Sequence, residues 1–357
     1  MENSHIFLLS NALTMNICFI MYPWEEIVPE SDSTLCLIHE CAERGHQVAI
    51  TSAANLTIRD SITQAFCQVL GKRAKVSKHL STFYKQATFK EQMLPLAGFD
   101  CIFMRANPPL DNIVLNFLDS VKNDAFIVND VEGLREANNK LYTATFYDPT
   151  GEIIPKTHVS KNKRYLQQVV EESDAEKMIM KPLNGYGGSG VIVLERGARS
   201  NVNSLLDFYI QGKGGESNYV ILQDYVPGAE LGDVRVLMLN GEPIGAMRRV
   251  PAQGEARSNV SAGGTVEKYT LTKEDKRLCR RIGPKLVQDG LYFVGLDLIG
   301  GKLIEVNVLS PGGISYINKV KKIKLQREVI DFVEDMVSFR ESASIRKQEF
   351  RNTVNNA

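Results

Sequence analysis

The sequence predicts an α/β protein: an open, largely parallel N-terminal sheet, then sheets built from hairpins. Over roughly the first 120 residues, short apolar runs alternate with amphipathic stretches, the β-α-β-α rhythm of a parallel sheet with helical crossovers. From Lys177 onward the rhythm changes to strand pairs joined by glycine-rich turns.

The first strand is NICFIM (16–21), ended by the loop signal Tyr22-Pro23. Thr34 to Gly45 is amphipathic and stops at a glycine, as helices commonly do. QVAIT (47–51) and FDCIFMR (99–105) are further strands, the latter halted by Asn107-Pro108-Pro109. AFIVND (125–130) is a short strand leading into a helical stretch. KMIMKPLNGYGGSGVIVLER (177–196) reads as two β-rich runs around a glycine-rich turn. YVILQDYV (219–226), VRVLMLNGEPIGAMRRV (234–250) and YFVGLDLIGGKLIEVNV (292–308) follow, with Asn240-Gly241 and Gly300-Gly301 as hairpin turns. Lys273 to Gly290 is a helix between them, and the polar tail beyond Phe339 is expected to fray.

At 357 residues the chain has room for two or three domains. Lys+Arg and Asp+Glu both number 42, so any anion site must be local, and a broad footprint for nucleic acid or membrane is not expected. No run reaches the ~18 apolar residues of a membrane-spanning helix. Residues 1–14 lack a basic region ahead of the apolar patch Ile6 to Leu9, and read as an extension, not a signal peptide. None of the six cysteines forms a C-x-x-C pair, which favours buried, reduced thiols and a cytoplasmic location.

Three constellations carry chemistry. Lys181-Pro182-Leu183-Asn184-Gly185-Tyr186-Gly187-Gly188-Ser189-Gly190 ends a strand with a lysine, followed by glycines that let backbone N–H groups approach phosphate oxygens. It is neither a Walker loop nor a dinucleotide fingerprint, and a plain flexible hairpin tip is the competing reading. Asp297, Glu305 and Asn307 converge on one face of a hairpin among Leu, Ile and Val. Three oxygen donors there suit magnesium bridging nucleotide phosphates, with a solvated polar face as the alternative. Lys140, Arg235, Arg249 and Arg257 are candidate clamps for phosphates and carboxylates, and the turn-rich stretch 251–264 around Arg257 suits a lid or a plain surface loop.

These pieces stand in the order of an ATP-grasp ligase, and the chain resembles prokaryotic glutathione synthetases across roughly residues 15–335. The matching segments are MYP (21–23) with SDST (31–34), MRANPP (104–109), VNDVEGLREANNKLYT (128–143), KPLNGYGGSG (181–190), QDYVPG (223–228), DVRVLMLNGEPIGAMRRVP (233–251), EARSNVSAGG (255–264) and VGLDLIGGKLIEVNVLSPGG (294–313). The resemblance implies an ATP-grasp fold with an N-terminal domain over 15–135, a central β-rich lid over 136–226 and a C-terminal catalytic sheet over 227–339, leaving a polar tail at 340–357.

It also implies roles. Lys140 and Lys181 hold ATP phosphates under the glycine loop, and Gln223, Tyr225 and Val226 meet adenine. Asp297, Glu305 and Asn307 ligate magnesium, or manganese in its place. Arg235 and Arg249 stabilise the transferring phosphoryl group, and Arg257, Asn259, Gly263 and Gly264 belong to the lid. Ser310, Gly312 and Gly313 seat the attacking amine, glycine in the family, and Tyr22, Ser33 and Arg105 meet γ-glutamylcysteine. The implied partners are small molecules and further copies of the chain.

Where these synthetases commonly read M-D-P, M-R-K-D-P-P and S-P-T-C or S-P-T-G, this chain has Met21-Tyr22-Pro23, Met104-Arg105-Ala106-Asn107-Pro108-Pro109 and Ser310-Pro311-Gly312-Gly313. The changes at Tyr22 and Asn107 remove negative charge on the peptide side, leaving the nucleotide segments intact. Another amide-forming ligase on the same scaffold is the first competing function. A nucleotide-binding regulator is the second, against which the full sets of phosphate lysines and magnesium ligands speak.

Overall fold

The computed structural model describes residues 14–72, 75–183, 190–211, 217–252 and 263–355. The first seven strands form one sheet, in the order β3-β4-β2-β1-β6-β7 with β5 added against β4. Its elements are β1 (Asn16–Met21), α1 (Ser33–Glu43), β2 (Gln47–Thr51), β3 (Leu56–Arg59), β4 (Ile62–Leu70), α2 (Leu80–Gln86), β5 (Phe89–Pro95), β6 (Cys101–Arg105), α3 (Asn112–Asp119), β7 (Phe126–Val128) and α4 (Val131–Ala137). Strands β2-β1-β6-β7 are parallel, as the apolar runs require. By contrast β4 runs antiparallel to β2, β3 and β5, so the sheet is mixed and less parallel than expected. The hairpin hid because its pattern is broken: Ile62 and Phe66 sit at exposed positions of β4, and β5 is an almost wholly exposed edge.

A second sheet, β10-β9-β11-β8, is built from β8 (Thr157–Ser160), β9 (Lys177–Pro182), β10 (Ile192–Glu195) and β11 (Val220–Asp224). α5 (Leu141–Ala144) precedes it, and α6 (Lys163–Glu172) and α7 (Val202–Ile210) interleave with its strands. The third sheet, β14-β13-β12-β15-β16, holds β12 (Asp233–Leu239), β13 (Glu242–Val250), β14 (Thr265–Lys268), β15 (Phe293–Ile299) and β16 (Lys302–Asn307). Asn240 and Gly241 turn the β12–β13 hairpin at φ of 48° and 82°, the left-handed pair that a tight hairpin demands. α8 (Lys273–Gln288) starts at a Thr272–Asp275 capping box. α9 (Ile314–Lys321) and α10 (Leu325–Asn355) complete the chain. The tail expected to fray is therefore helical out to Asn355.

The first and third sheets share their cores. One apolar cluster joins Ile20, Ile102 and Ile127 to Val236, Leu296 and Leu303, and another joins Phe19 and Phe103 to Phe293 and Val333. Buried Asn129, just past β7, closes the seam: its amide donates to the carbonyls of Phe293 (2.8 Å) and Val308 (3.0 Å) and accepts from the Phe293 N–H (2.6 Å). The second sheet has a separate cluster around Leu166, Met180, Leu206 and Leu222. All six cysteines are free and buried. Among the described residues no helix is long and apolar enough to cross a membrane.

Candidate active site

A row of alternating charge crosses the third sheet. Strand register sets Arg249 on β13 opposite Asp233 on β12, Arg235 on β12 opposite Asp297 on β15, and Asp297 opposite Glu305 on β16. Arg235 grips Asp297 with two hydrogen bonds, of 2.5 and 3.0 Å. Arg249 reaches the same carboxylate at 3.0 Å while donating twice to Asp233, at 2.6 Å each. Burial alone would push the Asp297 carboxyl up, but the two guanidinium groups outweigh it and hold the group far below the usual carboxylate range. Arg249 is likewise held above the ordinary arginine value, its burial more than offset by Asp297 and Asp233. Gly232 permits this packing: its φ is +98°, and a Cβ there would lie 1.9 Å from the Arg249 carbonyl oxygen.

On one side of the row lies the lysine pair. Lys140 donates to Glu305 at 2.9 Å. Lys181, on β9, donates to Gln223 at 3.1 Å, and Gln223 in turn donates to Thr157 at 2.8 Å, across three adjacent strands. Lys181 is 6% exposed. Its burial, helped by the charge of Lys140 and opposed by Glu305, pulls its amine down to about 8. Lys140, Glu305 and Asn307 line an open cavity of about 460 Å³, and Lys181 and Gln223 face a narrow slot beside it. The Tyr225 N–H donates to the Lys177 carbonyl and the Val226 carbonyl accepts from Ala229, so this segment is held as a tight turn beside the slot.

On the other side is a cavity of about 410 Å³ lined by Tyr22, Asp32, Arg105, Asn107, Arg235 and Arg249. Ser310, Gly312 and Gly313 form another wall, where Gly312 accepts from Arg235 at 3.2 Å. Ser33 lines it too, but its hydroxyl is committed: it accepts the N–H groups of Gly313 and Ile314 at 3.0 and 3.1 Å. Buried Arg105 donates to Thr34 and, with both terminal nitrogens, to the Pro311 carbonyl. The Tyr22 hydroxyl donates to Asp32, and burial together with that carboxylate pushes the phenol well above its ordinary value. The end of β6 and the start of α1 are thereby fastened to the segment leading into α9.

Known proteins resemble this chain along most of its length. Residues 15–135 match the family described as prokaryotic glutathione synthetase, N-terminal domain, and residues 139–322 match its ATP-grasp domain. Glutathione synthetase of Synechocystis sp. is 36% identical over 331 residues, covering 90% of this chain and 99% of the relative.

The chain belongs to the prokaryotic glutathione synthetase family.

An Escherichia coli glutathione synthetase is 33% identical over 320 residues, covering 88% of this chain and 96% of its own. Among solved structures, D-cycloserine synthetase superposes with a TM-score of 0.59 at 13% identity over 91% of this chain and 99% of that one. An ATP-grasp RimK domain protein from Sphaerobacter thermophilus gives 0.56 at 15%, covering 89% and 98%. The fold is thus ATP-grasp, and the enzyme class is an ATP-dependent ligase.

For a member of the glutathione synthetase family, the donor set fits magnesium chemically. Two carboxylates face each other across β15 and β16, and the Asn307 amide lies 3.1 Å from Asp297. Among the described residues, no group of three or more His, Cys, Asp or Glu is placed to hold a metal by itself, so phosphate oxygens would have to complete the shell. Of the expected site, Gly185, Tyr186, Gly187, Gly188, Ser189, Arg257 and Asn259 lie outside the described residues. Gly190, Gly263 and Gly264 are described at the edges of those two segments. Sequence reasoning missed Asp233 and Asp32. Asp233 was findable, since it stands two residues before Arg235 and so on the same strand face. Asp32 caps α1 through the Leu35 N–H, and only the fold shows that it also lines the cleft.

Proposed function

We propose that the protein joins the cysteinyl carboxylate of γ-glutamylcysteine to the amino group of glycine, with ATP cleaved to ADP and phosphate. The observation that carries this is the charged row standing between two cavities, with Lys140 lining one and Lys181 the slot beside it, and Arg235 and Arg249 lining the other. Lys140 and Lys181 hold ATP phosphates on the nucleotide side. Arg235 and Arg249 line the acid-side cavity, where they receive the peptide carboxylate and stabilise the charge of the transferring phosphoryl group. The resulting acyl phosphate is attacked at its carbonyl carbon by the amine, and phosphate leaves with the P–O–C oxygen. Asp297, Glu305 and Asn307 would hold magnesium, which would neutralise charge at the phosphates. We place the reaction in the cytoplasm, in keeping with six free, buried cysteines.

Phosphate release from ATP and magnesium, with each component omitted in turn and product mass recorded, tests the assignment. Release that requires both γ-glutamylcysteine and glycine and yields the tripeptide mass is expected. Silence with that pair, but release with another acid and amine, would move the substrate assignment and keep the ligase chemistry. Tyr22 and Asn107, which both line the acid-side cavity, are where such a change would originate.

The lowered Lys181 amine has a consequence for pH. A lysine binds phosphate as its cation, and in the ligand-free protein half of that charge is gone at about pH 8. ATP binding should therefore take up a proton near pH 8, and ATP affinity should fall about tenfold per pH unit above it. Calorimetry in buffers of different ionisation enthalpy measures the uptake. A Lys181→Arg variant, always charged, should lose the dependence; an unchanged pH profile in that variant would assign it elsewhere.

A further inference from the structure

We propose that Thr157 is a positioning residue for the nucleotide, acting through Gln223 to aim the Lys181 amine, an inference that rests on Lys181 as a phosphate ligand. β8, β11 and β9 lie side by side. Gln223 on β11 stands opposite Thr157 on β8, and Ile221 on β11 stands opposite Lys181 on β9. Gln223 is two residues past Ile221, so it shares that face of the sheet and lies diagonal to Lys181. Thr157, Gln223 and Lys181 accordingly line one slot, with Ile154, Ile221 and Ile304 among its other walls. Gln223 and Lys181 are 4% and 6% exposed, so water has little hold on either group. In that apolar setting the hydrogen bonds among the three set their orientation.

The bonds form a directed chain. The Thr157 hydroxyl donates its one proton to the Pro155 carbonyl at 2.8 Å. Its oxygen is then left only to accept, and it accepts from the Gln223 amide nitrogen at 2.8 Å. That fixes which way round the amide sits. With the nitrogen toward Thr157, the amide oxygen faces Lys181 and accepts from its amine at 3.1 Å.

Turned over, the amide would point N–H groups at an ammonium that can only donate, and the lysine would be driven from its place. A lysine amine is a point charge on a flexible stem, so partners such as Gln223 decide where it stands. Thr157 therefore governs a charge that it does not touch. Valine keeps the branched shape of threonine and lacks the hydroxyl, so Thr157→Val removes this lock and leaves the strand side chain in place.

Calorimetric titration of ATP with magnesium into the full chain, without peptide or glycine, reads the effect on binding. Thr157→Val should weaken ATP about five- to tenfold, the scale of one neutral hydrogen bond, and Thr157→Ser should restore it. Inosine triphosphate, which lacks the 6-amino group of adenine, should lose the same factor, because the effect acts at the phosphates. In a Gln223→Leu background Thr157→Val should weaken binding no further, a coupling that a merely structural role would not produce. Undiminished affinity in Thr157→Val, a loss confined to ATP, or the full additional loss in the Gln223→Leu background would overturn the proposal. Lys181→Met reports separately on the reading beneath it. If that variant binds ATP as the wild type does, Lys181 is no phosphate ligand and the relay has nothing to act on. If it binds weakly while Thr157→Val binds normally, the relay alone falls.

Discussion

Asp297→Ala should lower stability by about 3–5 kcal/mol and remove ligase activity. The stability figure follows from what is left behind: Arg235 and Arg249, 7% and 5% exposed, would lose the carboxylate they share. Arg249 keeps Asp233, whereas among the described residues Arg235 is left with the Gly312 carbonyl, so Arg235 carries most of the loss. Thermal melts without ligand should show a fall of roughly 4–7 °C. Asp297→Asn, which preserves volume and one acceptor, should fall less. A melt indistinguishable from wild type in Asp297→Ala would mean the arginines find solvent or another partner, and that the row is not the anchor described.

Glu305→Gln separates chemistry from stability. Glu305 is 31% exposed and its contact with Lys140 survives as a bond to the amide oxygen. The melting temperature should stay within about 3 °C of wild type. Turnover should drop on the order of 10²–10³-fold, the scale of deleting one preorganised electrostatic group. Steady-state phosphate release measures it, and near-normal turnover would remove Glu305 from the site. The two neighbours thus predict opposite patterns: loss of fold and function together at Asp297, loss of function alone at Glu305.

Much of the site was legible because its residues sit on strands, where spacing fixes the face. Asp297, Glu305 and Asn307 were readable from an apolar hairpin, and Arg235 and Arg249 from the next one, but a one-residue register shift in each, between Asp297 and Leu298 and between Leu237 and Met238, sets the final pairing and is not visible in the spacing from the turns. What escaped depends on contacts between distant segments. Ser33 reads as a substrate contact and does line the acid-side cavity, but only the fold shows that its hydroxyl also caps the turn into α9, 280 residues away in sequence. β4 and β5 escaped for a different reason: with Ile62 and Phe66 outward and a polar edge strand, the period-two signal cancels. The helical tail was misread because polarity alone was weighed, while the seven-residue spacing of its aromatic and aliphatic positions carries the helix.

The distribution of apolar clusters sets how this enzyme can be rebuilt. With Asn129 stitched into β15 and two clusters spanning the first and third sheets, the peptide-side half is no detachable cassette: grafting in another ligase's N-terminal segment would leave a mismatched interior on both sides of the join. New acid specificity must then be reached in place, by point changes at cleft positions such as Tyr22 and Asn107. The second sheet, with an interior of its own, is the portion that lineages or engineers could exchange whole.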